Sequence, residues 1–219
     1  MIKIIPSGDS TLIIRDLKKI KTSTLSNYID QQNFIEIEDI ISLKNEIGII
    51  YNPYITSSKK LADKLINISL SSNLEGDETF KSWKIPICYD EEFAIDLSFI
   101  SEFTNIDEDE IIQLHKKNVF DVDMVGFLPG FLYLGNLDKS LITPRKKDPR
   151  KSIPSGSIAI AGKQSGIYNI ESPGGWNIIG KTPFQLFNKN ENPPIKVRQG
   201  DKIIFQEIDK KEFNNIKFD

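Results

Sequence analysis

The chain has 219 residues, a net charge of −3, one cysteine and one histidine. A lone cysteine excludes an intramolecular disulfide and a thiolate metal cluster, a lone histidine excludes a histidine-rich metal site, and the negative balance argues against nucleic acid as the main partner. No apolar run approaches the roughly 18 to 20 residues of a membrane span, and Met1 to Pro6 lacks signal-peptide architecture, so the cytoplasm is the expected location.

Ile2 to Ile5 and Thr11 to Arg15 read as two short strands around the turn residues Pro6 to Asp9. Thr22 or Ser23 is expected to cap a helix whose Leu25, Tyr28 and Ile29 share one face. Phe34, Ile35, Ile37, Ile40 and Ile41 predict a strand, and Ile47 to Tyr51 another. Ser57 or Ser58 then caps a second helix through Leu61, Leu65 and Ile68. A polar loop over Ser71 to Asp77 precedes the extended run Phe80 to Tyr89, in which Cys88 reads as a small buried hydrophobe. The order β, β, α, β, β, α, β predicts a split βαβ, ferredoxin-like module with one added strand.

From Asp90 the pattern changes. Leu97, Ile100 and Phe103 mark a short helix. Asp107, with Glu110 three residues later, gives a capping-box start to another helix through Ile111, Ile112, Leu114 and His115, stopping at Asn118. Beyond it, short strands between glycine and proline turns predict a β-barrel or sandwich. The predicted class is therefore α+β, with domains over residues 1–79 and 80–219. Gly126 to Pro183 holds nine of the 13 glycines and six of the 11 prolines. Aromatic and branched residues alternate with these turns, so the segment is a series of prescribed bends around a core rather than a linker.

Candidate chemistry concentrates in this second half. Gly162-Lys163 invites a phosphate-loop reading, but Ser157 and Gln164 stand where that loop needs a glycine and a Ser or Thr, so the motif fails twice. His115 lies near the apolar face of its helix and is either a satisfied core histidine or a proton carrier. Only four arginines stand beside 24 lysines, yet Arg145 and Arg150 both fall in the run Arg145 to Lys151. That run is either a solvated loop or an anion site. Its two arginines suit a bidentate clamp on a carboxylate or phosphate, or pairing with acidic groups across an interface. Gln164, Ser165, Tyr168, Ser172 and Trp176 are the lining of an apolar pocket with a few fixed polar groups, or barrel core. Gly174-Gly175 favours the pocket because adjacent glycines let a group approach the backbone closely.

The segment Gly126 to Pro183, with GFLPGFLYLG, the run TPRKKDPRKSIPSGSIAIAGKQSG and SPGGWNIIGKTP, resembles the family of 5-oxoprolinase B subunits. That family includes a sporulation histidine-kinase inhibitor and the allophanate hydrolase subunit 1 domain. The likeness is dense over residues 85 to 206 and extends to Leu114-His115; over residues 1 to 75 it rests on Gly8-Asp9-Ser10 and the order of elements. Ser155, Ser165 and Asn136 stand where the family usually has alanine, threonine and glycine. The resemblance implies a cyclophilin-like β-barrel as the second domain. It implies partners too: a C subunit, of cyclophilin fold, and an A subunit. With them 5-oxoproline is opened to L-glutamate using ATP, with Mg2+ as a companion ion. In that reading ATP phosphorylates the lactam oxygen and water then attacks. Arg145 and Arg150 stabilise the developing anion, and His115 moves a proton. Phe127, Pro129, Gly130, Phe131, Gln164, Ser165, Tyr168, Ser172, Gly174, Gly175 and Trp176 form the substrate- or partner-binding face. Two alternatives stay open, a binding module that inhibits a sensor histidine kinase and a subunit related to allophanate hydrolase or urea carboxylase.

Overall fold

A computed structural model describes residues 2–17, 20–71 and 80–216. The chain divides into two compact units, Met1–Thr79 and Phe80–Asp219.

The first unit is a four-stranded antiparallel sheet, ordered β1-β2-β4-β3, with two helices. Its elements are β1 (Lys3–Pro6), β2 (Thr11–Arg15), α1 (Thr22–Gln31), β3 (Ile37–Ser42), β4 (Ile47–Tyr51) and α2 (Ser58–Ser71). Period-two alternation puts Leu12 and Ile14 of β2 and Ile47, Ile49 and Tyr51 of β4 on the buried face. Leu25 and Ile29 of α1 and Leu61 and Leu65 of α2 close over them at helical spacing. β2 and β3 both run antiparallel to β4, which lies between them, so β2-α1-β3 is a split βαβ.

Two details differ from expectation. The extended run after α2 does not return to this sheet, and β1 holds the edge beside β2 instead. Neither Thr22 nor Ser23 caps α1: Lys21 stands at the capping position without a side-chain capping hydrogen bond, and the Thr22 hydroxyl donates to the Lys44 carbonyl at 3.3 Å. For α2 the expected cap is present, as Ser57 Oγ accepts from the Lys60 N–H at 3.4 Å. The polar loop expected over Ser71 to Asp77 falls, from residue 72 on, outside the described residues.

The second unit is built on a seven-stranded sheet in the order β12-β9-β10-β7-β6-β13-β5. Its elements are β5 (Ser82–Ile87), α3 (Leu97–Thr104), α4 (Glu108–Lys117), β6 (Val119–Val125), β7 (Leu132–Gly135), a 3-10 turn (Lys139–Leu141) and β8 (Arg150–Ile153). There follow β9 (Ser157–Ala161), β10 (Gln164–Ile167), β11 (Ser172–Gly174), β12 (Asn177–Lys181), β13 (Lys202–Glu207) and α5 (Lys210–Asn215). β8 and β11 form a separate ribbon. Among the described strands only β13 and β5 pair parallel. The sheet curls until its edge strands meet: the Cys88 N–H donates to the Lys181 carbonyl at 2.8 Å, and the Lys181 N–H returns a bond to the Cys88 carbonyl at 3.0 Å. Inside the curl lie Ile85, Phe120, Val122, Leu134, Ile158, Ile160 and Phe205, together with Ile100 of α3 and Ile111 of α4.

That closure depends on Gly180. A Cβ there would stand 2.8 Å from the Cys88 carbonyl oxygen and 3.0 Å from the Ile87 side chain. Gly180→Ala is expected to lower stability by about 1 to 3 kcal/mol, as overpacked sites do; a urea unfolding midpoint equal to that of the parent would show the seam to be loose. Cys88 is buried beside it, with its thiol against Asp90 at 3.2 Å and its pKa pushed up to about 11 by burial. It is a packed thiol, not a nucleophile.

Candidate functional site

Three polar assemblies lie in the second unit, and they separate the residues singled out from the sequence. The first is internal. His115 projects from α4 into the core, 0 % exposed, stacked on Phe205 and tilted against Phe120. Its Nδ1 lies 2.8 Å from the Tyr89 hydroxyl and its Nε2 3.1 Å from Ser165 Oγ, which itself donates to the Ala159 carbonyl at 3.2 Å. One tautomer satisfies the whole chain: Tyr89 O–H donates to Nδ1, and Nε2–H donates to Ser165 Oγ. Burial pushes the imidazole pKa down to about 3, so the ring is neutral at physiological pH. The structure therefore puts His115 and Ser165 in the core, with both ring nitrogens occupied.

The second assembly is the buried carboxylate of Asp96, immediately before α3. Arg150 grips it with two bonds, 2.8 and 2.7 Å, Lys146 adds a third at 2.7 Å, and the Ile178 N–H a fourth at 2.7 Å. Burial alone would raise the carboxyl pKa, but the bonds from Arg150, Lys146 and Ile178 outweigh it and hold it below the usual range. Arg150 is thus a clamp, as its guanidinium chemistry suggests, but its carboxylate is the chain's own. Asp96 is not among the residues that the sequence singles out. The available signal is a charged residue lodged in the apolar run Ala94-Ile95-Asp96-Leu97.

The third assembly lies on the sheet face opposite the curled interior. Phe131, Tyr168 and Trp176 pack there over Ala159, Ala161 and Ile178, with Tyr133 at their edge. Phe131 meets Tyr168 at 4.8 Å and Trp176 at 5.6 Å, both edge-on, and Tyr133 meets Trp176 at 5.8 Å. Gly166 makes this possible: a Cβ there would stand 2.8 Å from the Trp176 ring and 2.9 Å from that of Phe131. Arg145 lies over the indole, its Cζ 5.7 Å from the ring centre. Burial lifts the Tyr168 pKa to about 12, against the Trp176 backbone bond and the Arg145 charge.

Around this floor the rest of the expected set is arranged. Phe127 is exposed, at a φ of +73°, and meets Phe131 edge-on at 5.7 Å. Pro129 and Gly130 complete the same turn, where the Gly130 carbonyl accepts from Asn169. Gln164 donates to Asp123 at 3.3 Å. The group that approaches Gly174 is the Tyr168 hydroxyl, and the Gly175 carbonyl accepts from the Lys146 N–H at 2.7 Å, so both glycines serve internal packing. Ser172 is buried, and its hydroxyl has no hydrogen-bond partner among the described residues. The structure thus joins Phe127, Phe131, Tyr168, Trp176 and Arg145, and gives Arg145, Arg150 and His115 three different sets of partners. Sequence reasoning misses Tyr133 as a site residue, though it stands two residues from Phe131 and meets its ring edge-on at 4.7 Å.

No helix among the described residues is long and apolar enough to cross a membrane. Residues 2–197 match the family model of the carboxyltransferase domain, subdomains C and D. The chain is 34 % identical to the 5-oxoprolinase B subunit of Bacillus subtilis, over 96 % of this chain and 94 % of that protein. It is 35 % identical to a conserved uncharacterized protein of Pyrococcus horikoshii of known structure, covering 96 % of this chain and all of that one, with a TM-score of 0.59. The urea carboxylase of Kluyveromyces lactis shares the fold at 16 % identity and a TM-score of 0.75, over 97 % of this chain and 22 % of that one.

Proposed function

The chain belongs to the carboxyltransferase subdomain C and D family, and from that premise we propose that it is the B subunit of an ATP-dependent 5-oxoprolinase, opening 5-oxoproline to L-glutamate with companion subunits. The observation that carries this reading is the likeness to the Bacillus subtilis protein along nearly the whole length of both chains. The urea carboxylase likeness, at 16 % identity, supports the fold alone. In the same reading the curled sheet is a cyclophilin-like barrel, the first unit a ferredoxin-like variant, and the cytoplasm the place of work.

The assemblies divide the labour. His115 is a neutral core residue, and Arg150 fixes the loop that carries Arg145. Arg145 and its aromatic floor remain as the surface that meets substrate or partner. The Gly162–Lys163 turn links β9 directly to β10 with no helix following it, so it lacks the strand–loop–helix context of a phosphate-binding loop. Among the described residues no three His, Cys, Asp or Glu side chains gather for a metal ion. ATP and its Mg2+ are assigned to the companions, the cyclophilin-fold C subunit with the A subunit, and no step is routed through them on this chain.

Reconstitution with the companion subunits tests the reading. ATP-dependent glutamate formation from 5-oxoproline is expected only when this chain is present. Arg145→Ala is expected to lower kcat/KM by about 100-fold, the scale of a lost charged hydrogen bond, while the exposed Lys147→Ala leaves it unchanged. Turnover that does not require this chain would overturn the assignment.

A further inference from the structure

On the outer face of the curled sheet stand two hydrogen-bond donors that have no acceptor among the described residues. Arg145 lies over the Trp176 ring and Tyr133 packs edge-on against the same indole, 5.7 and 5.8 Å from its centre. Lys146 and Arg150, from the same loop, are closed on Asp96. Among the described residues Arg145 has no acidic partner, and the Tyr133 hydroxyl no hydrogen-bond partner. Arg145 is exposed and Tyr133 half-buried, so a small ligand can reach both. Trp176 is only 5 % exposed and contacts both groups, and the Arg145 charge acts on the Tyr133 phenol. Burial raises the Tyr133 pKa, with Arg145 opposing, so the phenol keeps its proton and remains a donor. A cationic fork beside a neutral O–H is complementary to an oxyanion with two acceptor oxygens.

We infer that Tyr133 is a substrate-binding residue which, paired with Arg145 over Trp176, receives the substrate's carboxylate. The identity of that substrate rests on the function proposed above; the donor pair does not. The pair discriminates a lactam that bears a carboxylate from one that lacks it, because the unmet donors would lose their water for nothing in return.

Two measurements test it. In the reconstituted complex, Tyr133→Phe keeps the ring and removes the hydroxyl. It is expected to raise KM for 5-oxoproline about tenfold with kcat nearly unchanged, the loss of a hydrogen bond to a charged group. With the isolated full chain, the Trp176 indole NMR signal is expected to shift saturably with L-5-oxoproline. The uncharged 2-pyrrolidinone should leave it still, and Tyr133→Phe should weaken the response to 5-oxoproline about tenfold. Unchanged KM and an unchanged titration in Tyr133→Phe would overturn the inference and leave the 5-oxoprolinase reading standing. A complex that never turns over 5-oxoproline, with a Tyr133-dependent indole shift intact, would sink the 5-oxoprolinase reading alone. Inorganic phosphate shifting the indole at lower concentration than 5-oxoproline would overturn the carboxylate assignment.

Discussion

Asp96→Ala is expected to cost about 3 kcal/mol of stability, the lower end of the range for breaking a buried ion pair from one side. The substitution strands the Arg150 guanidinium, the Lys146 ammonium and the Ile178 N–H at once. The magnitude stays at the lower end because the two cations keep about a quarter of their side-chain surface in water, 26 % and 25 % exposed, and can partly rehydrate. Asp96→Asn, which keeps an oxygen for the Ile178 N–H but loses the charge, should fall between alanine and the parent. The same loop carries Arg145, so Asp96→Ala should also lower 5-oxoproline turnover in the complex. Urea unfolding at neutral pH reads the first effect; a loss below about 1 kcal/mol would mean that water already screens the cluster. The Asp96 carboxyl is held below its ordinary pKa. Its contribution is therefore complete above that ordinary value and is lost as pH falls through the depressed one.

Acid should weaken the protein well before its carboxylates protonate, and His115 is the reason. Its pKa falls from 6.5 to about 3 in the folded chain because burial disfavours the imidazolium. Between those values the unfolded chain binds a proton that the folded chain refuses, so stability is full above pH 6.5 and declines as pH falls toward 3. Over the first two pH units of that decline this residue contributes about 2 to 3 kcal/mol, at roughly 1.4 kcal/mol per pKa unit. His115→Phe removes the titration. The variant will be weaker at pH 7, because Tyr89 loses its acceptor, but its unfolding midpoint should vary less over that range. Parallel pH dependences for variant and parent would show that protons reach the ring in the folded state.

Local pattern makes much of the architecture legible and leaves its long-range pairings hidden. The alternation in Thr11 to Arg15 and Ile47 to Tyr51 fixes a buried face without reference to any partner, and both strands fall where the residues place them. The Phe80 to Tyr89 run is as clearly a strand, yet its residue types cannot say which sheet it joins. Its neighbour is β13, near the far end of the sequence. Thr22 shows the complementary failure, a hydroxyl suited to a cap that bonds a carbonyl from a distant turn instead. Arg150 is recognisable as a clamp from its chemistry, whereas the Asp96 it clamps lies far back in the chain. Gly174-Gly175 announce close approach, but only the fold shows that the group approaching Gly174 is the Tyr168 hydroxyl, and that Gly166 and Gly180 make room for Trp176 and the Cys88 carbonyl. The donor pair of Arg145 and Tyr133 cannot be read from spacing, since loop and strand meet only over Trp176.

The parallel pairing of β5 with β13 and the seam from Cys88 to Lys181 also govern how the second unit comes together in time. β5 is the first strand of that unit to leave the ribosome, and every hydrogen-bonded neighbour it has in the sheet is made much later. Until Lys181 and then Lys202 to Glu207 arrive, β5 is an unpaired apolar strand, the kind of edge that recruits other chains. Contacts so distant in sequence close slowly. Amide hydrogens of Ile85 and Ile87 should accordingly be among the last in the unit to gain protection from exchange during refolding.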